Sequence, residues 1–138
     1  MTGIYEHTLD AKGRLSIPSR LRDELGSEFY VTLSFQNCLS AYSLKNWAKF
    51  EEKYDDLPRE DKAKMRPLFA YASYCELDSQ GRILIPPKLR DKGGLVKDIT
   101  VVGAGDCAEF WDSETWAVVD AVESTQENIT AMYKELKF

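Results

Sequence analysis

Two places in the sequence set an aspartate four positions before an arginine, with a glycine directly before the arginine. The pairs are Asp10 and Arg14 in "LDAKGRLSIPSRLR", and Asp78 and Arg82 in "LDSQGRILIPPKLR". Carboxylates can transfer protons or accept hydrogen bonds, whereas the rigid donor fork of arginine matches phosphate oxygens and the O6 and N7 edge of guanine. The spacing therefore indicates either acid–base chemistry or the recognition of a nucleic acid.

A turn explains the aspartates and glycines. Type I turns favour Asp at their first position and Gly at their fourth, and the Asp side chain can accept from the backbone N–H two residues on. Asp10 and Gly13 fit this pattern, as do Asp78 and Gly81. We therefore interpret these four residues as turn residues that support the motif.

The arginines need a further explanation. Leu15 and Ile17 alternate with Arg14 and Ser16, so a strand that buries the first two must turn the other two outward. An exposed salt bridge from Arg14 to the turn aspartate contributes only ~0–1 kcal/mol. We predict instead that Arg14 contacts DNA, with Lys12 beside it, because two-stranded ribbons can enter the major groove. The remaining residues predicted to contact DNA are Arg82, Ser16 and Arg20.

Charge is unevenly distributed along the chain. The 138 residues carry a net charge of −5, yet Leu9–Arg22 sets four cations against one aspartate and Leu77–Arg90 sets three against one. These segments therefore carry +3 and +2, which leaves −10 for the rest of the chain. The pattern predicts a local basic surface on an acidic protein and argues against indiscriminate coating of nucleic acid.

The two motifs belong to a longer internal repeat. Each copy predicts a strand, the turn, a second strand ended by Pro, a short helix, two more strands and an amphipathic helix. We divide the chain into a first repeat at 1–57, a helical linker at 58–70, a second repeat at 71–123 and a C-terminal amphipathic helix at 124–138. A unit this small has little core, so the two copies are expected to cover each other about a pseudo-twofold axis.

Two details of the helices are also predicted. Pro67 interrupts an otherwise helical apolar pattern and should break or kink the linker helix. "STQE", from Ser124 to Glu127, matches a capping box at the start of the last helix.

Other functional classes find little support. Asp10 and Asp78 could form a catalytic carboxylate pair, but both occupy turn positions that favour Asp for structural reasons. The one histidine, His7, and the cysteines Cys38, Cys75 and Cys107 lack the spacing of a zinc site or a disulfide framework. We interpret the cysteines as small buried thiols and His7 as an ordinary strand residue. We predict no enzyme activity, catalytic residue, metal or cofactor.

The paired motifs, each followed by Ile-Pro and a short Leu-Arg helix, resemble the two DxxxR motifs of the MraZ family of bacterial regulators. "VTLSFQNCLSAYS" and "DITVVGAGDCAEFWDSETW" extend the resemblance over nearly the whole chain. The family's motif Asp and Arg fall on Asp10 and Arg14, and again on Asp78 and Arg82. The resemblance implies an α+β fold of two tandem AbrB-like swapped-hairpin units, with a pseudo-twofold, β-barrel-like core and flanking helices.

The resemblance also implies a function. Members bind double-stranded DNA as sequence-specific regulators of their own division and cell-wall gene cluster, form ring-like homo-oligomers and localise with the nucleoid. The sequence shows neither a signal peptide nor an apolar run long enough for a membrane helix, so we expect a cytoplasmic protein with no membrane partner and no small-molecule substrate. The alternatives are an AbrB-like antitoxin and a protein-binding ring scaffold.

The two copies differ in ways that predict different exposure. Lys12 in the first turn is replaced by Gln80 in the second, and the outward Ser16 by Leu84. "RILI" is thus an unbroken apolar run, typical of a strand covered on both faces. We expect the first copy to present the main DNA surface and the second to be more covered.

Overall fold

The computed structural model describes residues 1–138 as an α+β fold of eight strands and six helices. Both repeats contribute the same series of elements, as the sequence predicts. In chain order these are β1 (Ile4–Thr8), β2 (Arg14–Ser16), α1 (Ser19–Leu25), β3 (Glu28–Leu33), β4 (Leu39–Ser43), α2 (Leu44–Asp55), α3 (Arg59–Ala70), β5 (Ser73–Glu76), β6 (Arg82–Leu84), α4 (Pro87–Lys92), β7 (Asp98–Gly103), β8 (Ala108–Asp112), α5 (Ser113–Glu123) and α6 (Gln126–Glu135).

The main sheet is antiparallel and interleaves the two repeats in the order β1-β7-β8-β4-β3-β5. The first strand of each repeat pairs with the opposite repeat: Tyr5 lies opposite Val101, and Cys75 lies opposite Phe29. At the centre, β4 pairs with β8, with Ser40 opposite Glu109. Exchanging the repeats leaves the strand order unchanged, so the sheet has the predicted pseudo-twofold arrangement.

A barrel-like core was expected, and that expectation is wrong. The six-stranded sheet is not closed, and β1 and β5 form its two edges. The strands that follow the motif turns pair instead with each other, as a separate β2–β6 ribbon in which Leu15 lies opposite Ile83. The strands β2 and β6 form their backbone hydrogen bonds with each other, so neither strand connects the edges β1 and β5.

One core lies between the main sheet and the layer formed by the ribbon, α1 and α4. Both repeats supply it, which accords with the prediction that neither copy buries enough apolar surface alone. Its buried members are Leu9, Leu15, Ile17, Leu21, Leu25, Phe29, Val31, Leu39, Ala41, Cys75, Ile83, Ile85, Leu89, Leu95, Ile99, Val101, Ala108 and Phe110.

The opposite face of the sheet is covered by α2, α3 and α5. Side chains alternate across a strand, so Tyr30 points away from the core that holds its neighbours in β3. The Tyr30 ring stacks on Trp47 of α2 with centroids 4.7 Å apart, and Trp111 packs against Trp116 of α5 at 5.6 Å. None of the six helices combines the length and apolar character needed to cross a bilayer.

The structure corrects the expected capping box and excludes a break at Pro67, one of the two outcomes expected there. Pro67 does not break α3, which runs on to Ala70. Pro67 is exposed, only one amide donor is lost, and its own carbonyl accepts from the Tyr71 N–H at 3.0 Å. At the start of α6 the cap is Thr125, whose hydroxyl accepts from the Asn128 N–H at 3.3 Å, whereas the Ser124 hydroxyl donates back to the Asp120 carbonyl.

Candidate nucleic-acid interface

The first motif forms a closed turn around the Asp10 side chain. The backbone carbonyl of Asp10 accepts from the Gly13 N–H at 3.0 Å. The side-chain Oδ1 of Asp10 accepts from the backbone N–H groups of Lys12 at 3.0 Å and Arg14 at 2.8 Å. Gly13 has a φ of 82°, in the region that glycine tolerates best. Asp10 thus accepts three backbone hydrogen bonds across the turn, and Gly13 adopts its positive φ.

The second motif repeats this network. Asp78 accepts from the Gly81 N–H through its carbonyl at 3.0 Å, and from the Gln80 and Arg82 N–H groups through Oδ1 at 2.8 and 2.9 Å. Gly81 has a φ of 74°. The similarity holds although Lys12 is replaced by Gln80, because the turn uses backbone donors that both residues possess.

Each motif arginine is held by the carboxylate of its own turn. Arg14 Nε donates to Asp10 Oδ2 at 2.6 Å, and Arg82 Nε donates to Asp78 Oδ2 at 2.9 Å. The backbone hydrogen bonds from the two arginine N–H groups, together with these guanidinium contacts, hold the pKa of both aspartates below its usual value. Both carboxylates are therefore ionised acceptors at neutral pH, whereas a general acid would have to retain its proton.

The β2–β6 ribbon places both arginines on its outer face. Leu15 and Ile83 form one opposed pair and point into the core, where they are almost completely buried. The flanking pairs, Arg14 with Leu84 and Ser16 with Arg82, therefore share the opposite face. The structure thus brings Arg14, Ser16 and Arg82 together on one short ribbon.

Leu84 departs from the prediction of a strand covered on both faces. Its side chain is 59% exposed, because no element of this chain lies over the outer face of the ribbon. The side chains of Arg14 and Arg82 are 33% and 25% exposed. Within one chain, the outer face of the second copy is thus open.

The other predicted contacts surround the ribbon. Lys12 is exposed in the first turn, and Arg20 is exposed in the first turn of α1. Gln80 and Lys88 occupy the equivalent exposed places in the second repeat. No group of His, Cys, Asp or Glu side chains is placed to hold a metal ion.

Sequence reasoning missed two arginines at the ends of the motif phrases. Arg22 in α1 donates through Nε to the Ile17 carbonyl at 2.8 Å, and Arg90 in α4 donates to the Ile85 carbonyl at 2.9 Å. Both are half-buried beside the turns. The signal was present in the sequence, since Leu-Arg ends both phrases at the same spacing.

His7 and the three cysteines have the ordinary environments that the sequence predicts. His7 lies in β1, where burial and then the nearby Arg22 charge lower its pKa. Cys38, Cys75 and Cys107 are free thiols and are buried. None of these residues contributes to the ribbon face.

A protein-family model described as "MraZ protein, putative antitoxin-like" matches the chain twice, at residues 1–67 and 68–135. Among curated proteins, a "Transcriptional regulator MraZ" of Caldicellulosiruptor saccharolyticus is 43% identical, with 99% of this chain and 98% of the relative covered. Relatives with the same name occur in Acetivibrio thermocellus, 47% identical over 83% of this chain and 82% of the relative, and in Pediococcus pentosaceus, 42% identical over 97% and 94%.

Proposed function

The chain belongs to the MraZ family, and on that premise we propose that it is a sequence-specific DNA-binding transcriptional regulator. Its target is the promoter of its own division and cell-wall gene cluster. The observation that carries the proposal is the doubled turn, which holds Arg14 and Arg82 on the outer face of one two-stranded ribbon. Relatives that span almost the whole chain bear the name of a transcriptional regulator.

The chemistry of the ribbon suits DNA. The turn aspartates hold each Nε. The terminal guanidinium nitrogens make no hydrogen bond within the chain, although Arg82 Nη1 lies 3.9 Å from Asp10 Oδ2, and they can form a bidentate pair with phosphate or with guanine O6 and N7. A two-stranded ribbon fits the major groove, which is about 12 Å wide. The short side chain of Ser16, which lies opposite Arg82 and two residues from Arg14 on the same strand, allows close approach.

The first turn supplies the main contacts in this proposal. Lys12 adds a cation at its tip where the second turn has the uncharged Gln80, and Arg20 adds another on α1. The exposed Leu84 gives the second strand an apolar outer side chain. Arg14, Lys12, Ser16, Arg20 and Arg82 together form the proposed DNA-binding set.

A single ribbon offers few contacts, so we propose that several subunits in a homo-oligomeric ring bind repeated DNA sites with avidity. Two features support assembly. The edges β1 and β5 lack a strand partner on their outer sides. Val118 and Val122 of α5 and Leu136, directly after α6, are each exposed by 60% or more. Head-to-tail contacts close into rings when the rotation permits. Sedimentation or native mass spectrometry gives the subunit number.

The finer fold assignment is part of the same proposal. Pairing of the first strand of each repeat with the opposite repeat supports two AbrB-like swapped-hairpin units. They comprise 1–57 and 71–123, joined by the linker at 58–70 and followed by the C-terminal helical segment at 124–138. A regulator of this kind acts in the cytoplasm, at the nucleoid.

Titration of the promoter region upstream of the protein's own gene tests the function. The intact protein should bind this DNA more tightly than scrambled DNA of equal length and composition, and Arg14→Ala should lose most of that preference. Equal affinity for both DNAs would remove the regulator proposal.

A protein-binding role is the second candidate, because the family description includes an antitoxin-like character and the C-terminal helices expose apolar side chains. Salt separates the two roles. Binding through phosphates weakens steeply as salt rises, whereas a protein-only scaffold binds no DNA even at low salt.

A further inference from the structure

Two arginines outside the proposed DNA-binding set lie against the turns of the opposite repeat. The guanidinium of Arg22, in the first repeat, covers Gly81 so closely that a Cβ on that glycine would lie 2.3 Å from Arg22 Cζ. The guanidinium of Arg90, in the second repeat, covers Gly13, where a Cβ would lie 2.6 Å from Arg90 Cζ. Each turn glycine is therefore packed beneath an arginine from the other half of the chain.

Each arginine is also hydrogen-bonded to the residue that directly follows the ribbon strand of its own repeat. Arg22 Nε donates to the Ile17 carbonyl at 2.8 Å, while the Ile17 N–H donates to the Gly81 carbonyl at 3.0 Å. Arg22, Ile17 and Gly81 thus form a closed set of contacts in which one arginine holds two segments. The buried Ile17 side chain anchors the set in the core.

The second set has the same geometry with the repeats exchanged. Arg90 Nε donates to the Ile85 carbonyl at 2.9 Å, and the Ile85 N–H donates to the Gly13 carbonyl at 3.0 Å. A positive φ explains why glycine suits position 13, but it does not explain why an arginine plane lies on it. The packing therefore places a second requirement on the same glycine.

We propose that Arg22 and Arg90 are positioning residues, each of which fixes the basic turn of the opposite repeat. The proposal rests on the assigned DNA-binding function of the turns. Arg90 therefore fixes the position of the first turn, which carries Lys12 and Arg14, although Arg90 itself belongs to the second repeat. Lysine cannot replace either residue, because it lacks both the planar group and the Nε–H directed at the isoleucine carbonyl.

A direct phosphate contact is the competing role for these arginines, and it makes different predictions. If an arginine binds phosphate mainly through its charge, a lysine in its place largely preserves DNA affinity. Removal of the charge lowers the slope of log affinity against log salt by about one, the value for one phosphate contact. A positioning residue is not replaced by lysine, and its loss leaves the salt dependence unchanged because the phosphate contacts are made by other groups.

The experiment combines amide NMR of the free protein with DNA titration over a range of salt. The variants are Arg90→Lys and Arg22→Lys, with Arg59→Lys on the exposed start of α3 as the matched control. Arg90→Lys should shift the amide signals of Asp10–Arg14, and Arg22→Lys those of Asp78–Arg82. Arg90→Lys should weaken promoter binding about tenfold, the factor that corresponds to one lost charge-assisted hydrogen bond. Arg22→Lys, which acts on the second turn, should weaken binding less, and both variants should leave the salt slope unchanged.

Signal changes confined to the repeat that carries the substitution would overturn the proposal, as would wild-type affinity or a salt slope lowered by one. The NMR result does not depend on DNA, so an unshifted opposite turn refutes the positioning role even where promoter binding holds. If the lysine variants do not fold, the unmodified protein still provides a test. The Nε–H proton of Arg22 should exchange slowly and show a nuclear Overhauser effect to the Gly81 α protons, and its absence refutes the proposal.

Discussion

Arg82 of the second repeat places Nη1 3.9 Å from Oδ2 of Asp10 in the first repeat. Asp10 is thus near two guanidinium groups, since Arg14 Nε lies 2.6 Å from the same oxygen. Asp78 pairs within 4 Å only with Arg82. The first turn therefore brings Arg14 and Arg82 to a single carboxylate, and the exposed Lys12 lies in the same turn.

We expect Arg14→Ala to weaken promoter binding more than Arg82→Ala does. Loss of a bidentate arginine contact costs about 1–3 kcal/mol of binding free energy, and Arg14 is the more exposed of the two side chains. Fluorescence anisotropy titrations at fixed salt measure the difference. Equal losses, with the oligomeric state unchanged by native mass spectrometry, would contradict the asymmetry of the repeats.

The turn-tip residues provide a matched exchange. Lys12→Gln should lower the slope of log affinity against log salt by about one, because one phosphate contact is lost. Gln80→Lys, which places the same cation on the second turn, should leave the slope unchanged. If Gln80→Lys raised this slope by as much as Lys12→Gln lowered it, both turns would contact DNA alike.

Acid should loosen the turns. The folded pKa of Asp10 lies below the unfolded value of about 3.9, since the backbone N–H and guanidinium of Arg14 favour the ionised form. Its stabilisation is therefore complete above about pH 4 and is lost as pH falls through the folded pKa. Asp10→Asn should flatten the pH dependence of unfolding in this acid range, whereas Glu52→Gln on the exposed side of α2 serves as the control. A steep acid transition that survives in an Asp10→Asn, Asp78→Asn double variant would contradict this assignment.

The three thiols should be unreactive in the folded protein. Burial raises the pKa of Cys38 to about 12 and that of Cys107 to about 11, and it also raises the pKa of Cys75. At pH 8 all three are therefore protonated, and the thiolate is the reactive form. Iodoacetamide labelling followed by mass spectrometry should show slow modification in buffer and three modified sites in denaturant. Rapid labelling of the native protein would show that these sites open readily.

Pro67→Ala should stabilise the protein. A proline in a helix interior costs about 3 kcal/mol relative to alanine, and the greater freedom of the alanine variant when unfolded offsets about 0.4–1 kcal/mol of that gain. A net increase of about 2 kcal/mol in the free energy of unfolding is therefore expected, measured by urea titration. Pro58→Ala, at the N-cap of α3, is the control. A stability below that of the parent protein would mean that Pro67 has packing contacts that alanine cannot make.

The turns and strands could be predicted because they depend on local rules. Asp10 and Gly13 follow turn preferences, and the alternation of Leu15 and Ile17 assigns the buried face of the ribbon, which the structure confirms. The repeat itself indicated that two halves share one core. These inferences needed only neighbouring residues or the comparison of one copy with the other.

The remaining features depend on contacts between distant segments. The contact of the Arg22 guanidinium plane with Gly81 arises from packing between the repeats, which the spacing of residues along the sequence does not reveal. The expectation of a barrel-like core was wrong because β2 and β6 pair with each other and do not join the edges of the main sheet. Thr125 replaced Ser124 as a cap since a shift of one residue satisfies the same rule.

The exchange of first strands has a consequence for synthesis on the ribosome. The register partner of Glu6 in β1 is Thr100, 94 residues later in the chain, so β1 cannot pair until the second repeat has been synthesised. The strand β3 likewise lacks its partner β5 until then. The first repeat therefore leaves the exit tunnel with its strand pairing incomplete. Contacts this distant in sequence slow folding and couple the halves into one cooperative transition. A nascent chain halted between the repeats would expose unpaired strand edges, which makes the interval before the second repeat emerges the period of greatest aggregation risk.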